Sequence, residues 1–229
     1  MRAAGLGAIG NLDPATCRQL EKYVELLLDS NATLNLTAAR SRAAVEEHLR
    51  DSLTVLPYVR DPLVDIGSGG GFPAIPLAIV TGFAVTAIEA VAKKARFLQW
   101  VVDELLLKVT VVAARAEEAA HRPELRERFG SATARGIAGA ATVLELTVPF
   151  LEEGGTAVLQ RGRLSDDERA AACDAALVLG AEIAGEVRTG GLSDERRILL
   201  ARKTAASAPR FPRRAGTPAK RPLGGRPNG

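Results

Sequence analysis

A strand that runs directly into alternating glycines constrains the fold of this 229-residue chain more than any other feature. Leu63-Val64-Asp65-Ile66 is short and apolar, and Gly67-Ser68-Gly69-Gly70-Gly71-Phe72-Pro73 follows without a gap. Gly67, Gly69 and Gly71 alternate, and their missing side chains let backbone approach a ligand closely. Pro73 and Pro76 fall where a helix would begin, in the turn whose amide hydrogens lack intrahelical acceptors. Strand, glycine turn and helix in that order form the first unit of a parallel sheet. Ligands bind such sheets beyond the carboxyl ends of the strands.

The rest of the chain continues the rhythm. Before the loop, Asp13-Pro14 caps a helix whose apolar stripe holds Cys17, Leu20, Val24, Leu27 and Leu28. Val45, Leu49, Leu53 and Leu56 predict a second helix ending near Pro57, so residues 1–60 read as a helical N-terminal region. Strands are predicted at 83–88 and 109–113, with an amphipathic helix through Val91, Ala95, Leu98, Val102 and Leu105 between them. Residues 129–134 hold the place of a fourth strand, although Gly130, Ser131, Ala132 and Thr133 are small. A helix over 144–150, a turn at Gly154-Gly155 and a strand over 156–159 follow. Ser165 and Glu168 form a capping box before a helix on which Cys173 and Leu177 share a face. Segments 181–188 and 196–201 pair as a terminal antiparallel hairpin. The class is α/β: a Rossmann-like, mostly parallel sheet over residues 61–202, with helices on both faces.

The loop also discriminates among ligands. A dinucleotide fingerprint needs its third glycine at position 72, where Phe72 stands, and no Gly-Lys-Ser/Thr follows to make a phosphate loop. Glu89, closing the second strand, suits a pair of ribose hydroxyls. Asp65 before the loop favours the cationic end of S-adenosylmethionine and repels a pyrophosphate. The competing reading is a generic strand-to-helix turn, which leaves Asp65, Gly67, Gly69, Gly71, Phe72 and Glu89 without a common purpose.

Composition narrows the setting. At 47% apolar the chain can bury a core, and its apolar runs are too short to span a bilayer. Two cysteines allow no disulfide framework or multi-cysteine metal site, and a reduced, cytoplasmic setting is the default. The net charge of +3 divides unevenly, because residues 203–229 carry seven basic side chains and no acid. Without them 23 basic residues face 27 acidic ones. Five prolines make this tail non-helical by expectation, either a solubilising extension or a surface for a polyanion such as nucleic acid.

Residues 63–77 resemble the cofactor loop of the bacterial small-subunit rRNA methyltransferase G family, also called glucose-inhibited division protein B. Leu34-Asn35-Leu36-Thr37 with His48-Leu49-Arg50-Asp51-Ser52-Leu53 is similar to its N-terminal region. Lys93-Lys94-Ala95-Arg96-Phe97-Leu98 and Pro209-Arg210-Phe211-Pro212-Arg213-Arg214 resemble two further family segments. The resemblance implies an enzyme that moves a methyl group from S-adenosylmethionine to N7 of one guanine in the 16S rRNA of the small ribosomal subunit. It implies cofactor contacts from Gly67 and Phe72, with Ala116-Glu117 along the adenine and Arg135 at the cofactor and substrate side. Arg115 and Arg161 match basic positions facing RNA. The chain departs from the family at Ala74, where glycine is usual, and at Gln160-Arg161-Gly162, where Leu-Lys-Gly is common.

The residues suit such chemistry by what they lack. Guanine N7 carries a lone pair and no proton, so methyl transfer needs held geometry rather than a general base. No catalytic residue is assigned and no metal set is seen. His48 borders an apolar face and reads as structural, and His121 reads as a solvated loop residue. RNA contacts fall to Lys93, Lys94, Arg115, Arg161, Arg210, Arg213 and Arg214, with aromatic residues at only 4%. Trp100 reads as packed. No membrane association and no obligate protein partner is evident. The rivals are a methyltransferase acting on a small molecule or protein, and a non-catalytic RNA- or ribosome-binding protein on the same scaffold.

Overall fold

A computed structural model describes residues 12–189 and 196–224. Helices α1 (Pro14–Leu34) and α2 (Arg42–Leu53) precede β1 (Leu63–Ile66). Then come α3 (Ala74–Thr81), β2 (Val85–Ile88), α4 (Ala92–Leu105), β3 (Val109–Val112), α5 (Ala116–Ala119) and β4 (Phe129–Arg135). The chain continues through α6 (Ala140–Thr147), β5 (Leu151–Arg161), α7 (Asp166–Val178), β6 (Ala181–Arg188), β7 (Arg197–Lys203) and α8 (Thr217–Lys220). The seven strands form one sheet in the order β3-β2-β1-β4-β5-β7-β6. Strands β1 to β5 are parallel, and β7 runs antiparallel to both neighbours. The order reverses between β1 and β4, the place where such sheets open a crevice for ligands.

Local chemistry sets the element ends. The Asp13 carboxylate accepts from the amides of Ala15 and Thr16 at 2.9 and 3.1 Å, capping α1. Ser165 and Glu168 complete their reciprocal box at the start of α7. Helices α1 to α4 cover one face, where Leu20, Leu27, Leu49, Ile75 and Leu98 are fully buried against Leu63 and Val158. Helices α5 to α7 cover the other, with Leu144, Ala175, Phe150 and Leu159 in its core. The N-terminal helices therefore share a core with α3 and α4. Asn31 ties the turn after α1: its Nδ2 donates to the carbonyls of Thr37 and Ala39, and its Oδ1 accepts from the amides of Leu36 and Thr37.

The structure corrects several expectations. Strand β5 begins at Leu151, so Gly154-Gly155 lie within it and not in a turn before it. They sit where the β4–β5 register shifts between Phe129 and Ser131, and a Cβ on Gly155 would meet Glu152 O at 2.8 Å. Helix α6 begins at Ala140 and passes at Val148 into a short 3-10 turn containing Pro149. On α7 the buried positions are Ala172, Ala175 and Ala176; Leu177 is exposed and Cys173 half-buried, so their shared face looks outward. Trp100 is 41% exposed, against the packed role expected of it.

The basic tail departs furthest from expectation. Lys203 is the last residue of β7, fully buried, with its Nζ 2.7 Å from Glu127 Oε1. Thr217–Lys220 form a helical turn with Pro218 at its start, where a missing amide costs nothing. Phe211 is 3% exposed and anchors the segment in the α5–α7 core. Arg126 donates to the carbonyls of Phe211 and Ser207 at 2.7 and 2.8 Å. His121 lies exposed in a turn, as expected, and its Nε2 stands 2.8 Å from Pro212 O, so it also touches the tail.

Candidate cofactor and substrate site

The glycine loop lies at the sheet's point of reversal, and each glycine has its own reason. Gly67, Gly69 and Gly71 have φ of +70°, +58° and +107°, conformations that side chains oppose. A Cβ on Gly71 would sit 2.7 Å from Ile75 Cγ1 and 2.8 Å from Tyr23 Oη. A Cβ on Gly67 would meet Ile137 Cδ1 at 2.9 Å, whereas Gly69 is limited by conformation alone. Tyr23 of α1 donates from its buried hydroxyl to Gly70 O at 2.7 Å. Burial raises that phenol well above its usual pKa, which keeps the proton available for this bond.

Two carboxylates flank the loop. Glu89, 6% exposed, accepts from Gly69 N through Oε2 and from Val91 N through Oε1, both at 2.8 Å. Each oxygen keeps a lone pair for a further donor, such as a hydroxyl. Asp65 is 1% exposed, and its Oδ1 accepts from Thr133 Oγ1 at 2.8 Å. Its Oδ2 has no hydrogen-bond partner among the described residues. Burial pushes the Asp65 pKa up to about 6, against the opposing pull of Ser68, Thr133 and the Arg135 charge. A half-satisfied buried carboxylate beside a glycine cradle fits a ligand that brings its own positive charge. S-adenosylmethionine is such a ligand, and the residues present suit it: Asp65 for the cation, Glu89 for hydroxyls and the glycines for close approach.

Arg135, at the end of β4, is held from three sides. Its Nη1 lies 3.1 Å from Asp51 Oδ2, and its Nη2 lies 3.1 Å from His48 Nδ1. Its Cζ stands 5.1 Å from the centroid of the Phe72 ring. Phe72 in turn packs edge-on to Tyr23 and His48 at centroid distances of 5.4 and 5.6 Å. Burial first, and then the Arg135 charge, lowers the His48 pKa, so the neutral ring accepts from Arg135 at Nδ1. The structural role read for His48 is thus the orientation of Arg135. Sequence reasoning missed Tyr23, Asp51, Thr133 and Gln160 here; the His48/Asp51 spacing of one helical turn was the available signal.

The remaining predicted residues separate into two groups. Ala116 is buried at the start of α5, while the Glu117 side chain accepts from Gly216 N at 2.9 Å and so engages the tail. Arg115 and Lys93 are exposed at the carboxyl edge of the sheet, Lys94 is half-buried beside them, and Arg161 closes β5 with Nη2 3.9 Å from Glu168. Arg210 and Arg214 are exposed and line a cleft of about 530 Å³ with Glu117 and His121. Arg213 is taken up internally. Its backbone N and its guanidinium grip the fully buried Glu145, with Nη2 to Oε2 at 2.6 Å. That chelate fastens the tail to α6 and leaves Arg213 little to offer an external anion.

Residues 16–193 match the family described as GidB: rRNA small subunit methyltransferase G. The chain is 38% identical over 216 residues to the ribosomal RNA small subunit methyltransferase G of Leuconostoc mesenteroides subsp. mesenteroides, covering 90% of each. It is 39% identical over 214 residues to the protein of that name from Desulfitobacterium hafniense strain Y51, again covering 90% of each. Among solved structures, Aeropyrum pernix fibrillarin with natively bound S-adenosyl-L-methionine aligns at a TM-score of 0.52 and 18% identity, covering 69% of this chain and 73% of that one. A Thermus thermophilus branched-chain polyamine synthase mutein in complex with N4-aminopropylspermidine and 5'-methylthioadenosine aligns at a TM-score of 0.60 and 13% identity, covering 83% and 64%. These distant likenesses concern the fold; the family match spans most of the chain, at identities well above those of a shared architecture. The chain belongs to the rRNA small subunit methyltransferase G family.

Proposed function

We propose that the protein transfers a methyl group from S-adenosylmethionine to N7 of a specific guanine in 16S rRNA, acting in the cytoplasm on the small ribosomal subunit or its RNA. The observation that carries this reading is the family match over residues 16–193, joined to a glycine cradle flanked by Glu89 and the half-satisfied Asp65. The cofactor supplies an electrophilic methyl group on a sulfonium. The chain's own task is to bind and orient. Asp65 offers a buried negative charge, Glu89 holds Gly69 in place, and Arg135, fixed by Asp51, His48 and Phe72, sets a guanidinium beside the loop. Since N7 carries no proton, alignment of the lone pair with the methyl group is sufficient, and no base is required. Arg115, Lys93, Arg210 and Arg214 supply exposed charge for phosphates.

The test is radiolabelled methyl transfer to 30S subunits lacking native modification, to naked 16S rRNA and to a small-molecule pool in parallel. Label in 16S rRNA, mapped to a guanine N7 by borohydride–aniline cleavage, is the expected result. Absence of label in every RNA sample, with cofactor binding intact, overturns the rRNA assignment. Deletion of the tail does not separate these readings, because Lys203, Phe211 and Arg213 are built into the fold. Charge changes at Arg210 and Arg214 do.

A further inference from the structure

Beyond the cofactor loop, the carboxyl ends of β4 and β5 open into a cleft of about 370 Å³, within the range of small-ligand sites. Its charged lining among the described residues is Arg135, Arg161, Arg196, Arg197 and Asp51, and Glu168, Glu47 and Glu186 pair with Arg161, Arg196 and Arg197 from beside it. A second cavity of about 200 Å³, running toward Ile137, shares Arg135 and Gln160 with it. Ile137 is the side chain that meets Gly67, so the cleft continues from the cofactor loop.

Within this cleft one neutral group stands out. Gln160 is 6% exposed, and its Oε1 has no hydrogen-bond partner among the described residues. The direction of its amide is fixed: Nε2 donates to Asp51 O at 2.6 Å and lies 3.4 Å from Thr54 Oγ1. A backbone carbonyl only accepts, so the nitrogen must face Asp51 and the oxygen is left over. A buried, pre-oriented acceptor without a donor is costly to keep, unless a ligand or water supplies one. Thr189 Oγ1, on the same cleft, is also buried without a partner.

The register places this acceptor. Ala134 pairs with Ile66, the residue before Gly67, and Arg135 pairs with Gln160. Gln160 therefore stands two strands from the glycine loop, about 10 Å away. Guanine presents N7 on its imidazole side and its 2-amino group on the opposite, pyrimidine side. A guanine with N7 directed at the loop and its far edge across β4 would bring N–H donors to β5. We propose that Gln160 is a specificity-determining residue: its Oε1 accepts a hydrogen bond from the 2-amino group of the target guanine, extruded into this cleft. This rests on the guanine-N7 reading above. An adenine has no amino group at that position, and inosine is guanosine without it.

The test uses full-length 16S rRNA assembled by splinted ligation, with guanosine or inosine at the position that the wild-type protein labels. Wild type is expected to favour guanosine over inosine by about tenfold in kcat/KM, the effect of one unpaired buried acceptor. Gln160→Leu is expected to treat the two alike while retaining affinity for S-adenosylhomocysteine. Equal rates for both RNAs with wild type, or an undiminished preference in Gln160→Leu, would overturn the assignment. If Gln160→Leu does not fold, titration of wild type with GMP and IMP decides: tighter GMP binding supports the reading, and equal affinity defeats it. Failure of wild type to label any 16S rRNA overturns the functional reading and this one with it. Label on guanosine without discrimination overturns this one alone.

Discussion

Replacing Asp65 by asparagine should stabilise the protein at neutral pH and weaken cofactor binding at the same time. The carboxyl is 1% exposed, and burial lifts its pKa from 3.8 to about 6. Below pH 4 the group is protonated whether the chain is folded or not, and it has no bearing on pH dependence. As pH rises from about 4 to about 6, the unfolded chain ionises Asp65 freely while the fold resists, so this residue makes the native state progressively less stable. Above about 6 the loss is complete. Raising the pKa from 3.8 to about 6 corresponds to about 3 kcal/mol. Asparagine keeps an oxygen for Thr133 and carries no charge, so the variant should gain up to about 3 kcal/mol at pH 7.5 and almost nothing at pH 4. Urea unfolding of both proteins without cofactor at pH 4, 5, 6 and 7.5 measures the difference. Calorimetry with S-adenosylmethionine should show the variant's affinity falling at least tenfold, because the buried countercharge is gone. Stability differences that do not change with pH, or a variant that binds the cofactor as well as wild type, would refute the reasoning.

Other consequences follow from the same geometry. Glu145→Ala strands Arg213 and should cost about 3 kcal/mol, with new proteolytic cleavage within residues 204–216; an unchanged urea midpoint would show that the chelate does not anchor the tail. Tyr23→Phe leaves Gly70 O buried without its donor and should cost about 1–3 kcal/mol, together with some cofactor affinity. Calorimetry and thermal melts check both, and a neutral variant would remove α1 from the loop's support. Arg210→Glu with Arg214→Glu should leave stability unchanged, weaken rRNA binding and make its salt slope shallower by about 2. A slope equal to that of wild type would take the tail out of the RNA interface.

The sheet and its ligand loop were legible because their signals are local. The glycine run, the Asp13 and Ser165 caps and the terminal hairpin each depend on residues a few positions apart, and all are present. Strand β4 read weakly because its Gly-Ser-Ala-Thr-Ala run has little β propensity. It is nevertheless central, paired with β1 and β5 and buried on both faces, where small residues suit close packing. Two charged positions show the limit of composition. Lys203 and Arg213 counted toward a basic tail, yet both meet carboxylates more than sixty positions distant, at Glu127 and Glu145. Likewise, nothing near Gln160 in sequence announces Asp51, whose carbonyl fixes its amide from 109 residues away. Such pairings depend on the topology, and only the folded chain displays them.

The position of β7 bears on how the chain is made. It lies between β5 and β6, although it follows both in sequence. During synthesis β5 is therefore complete while one of its edges has no neighbour, and β6 has no strand at all to pair with until residues 197–203 arrive. A ribosome that pauses before that stretch holds a nearly finished sheet with an open edge, a template for other chains. Closure comes late; the buried Lys203 ends the strand itself, and Phe211 and Arg213 follow within ten residues to seal it. The closing strand of the sheet and the segment that locks it thus leave the ribosome in direct succession, so the open edge is covered and fastened in one step.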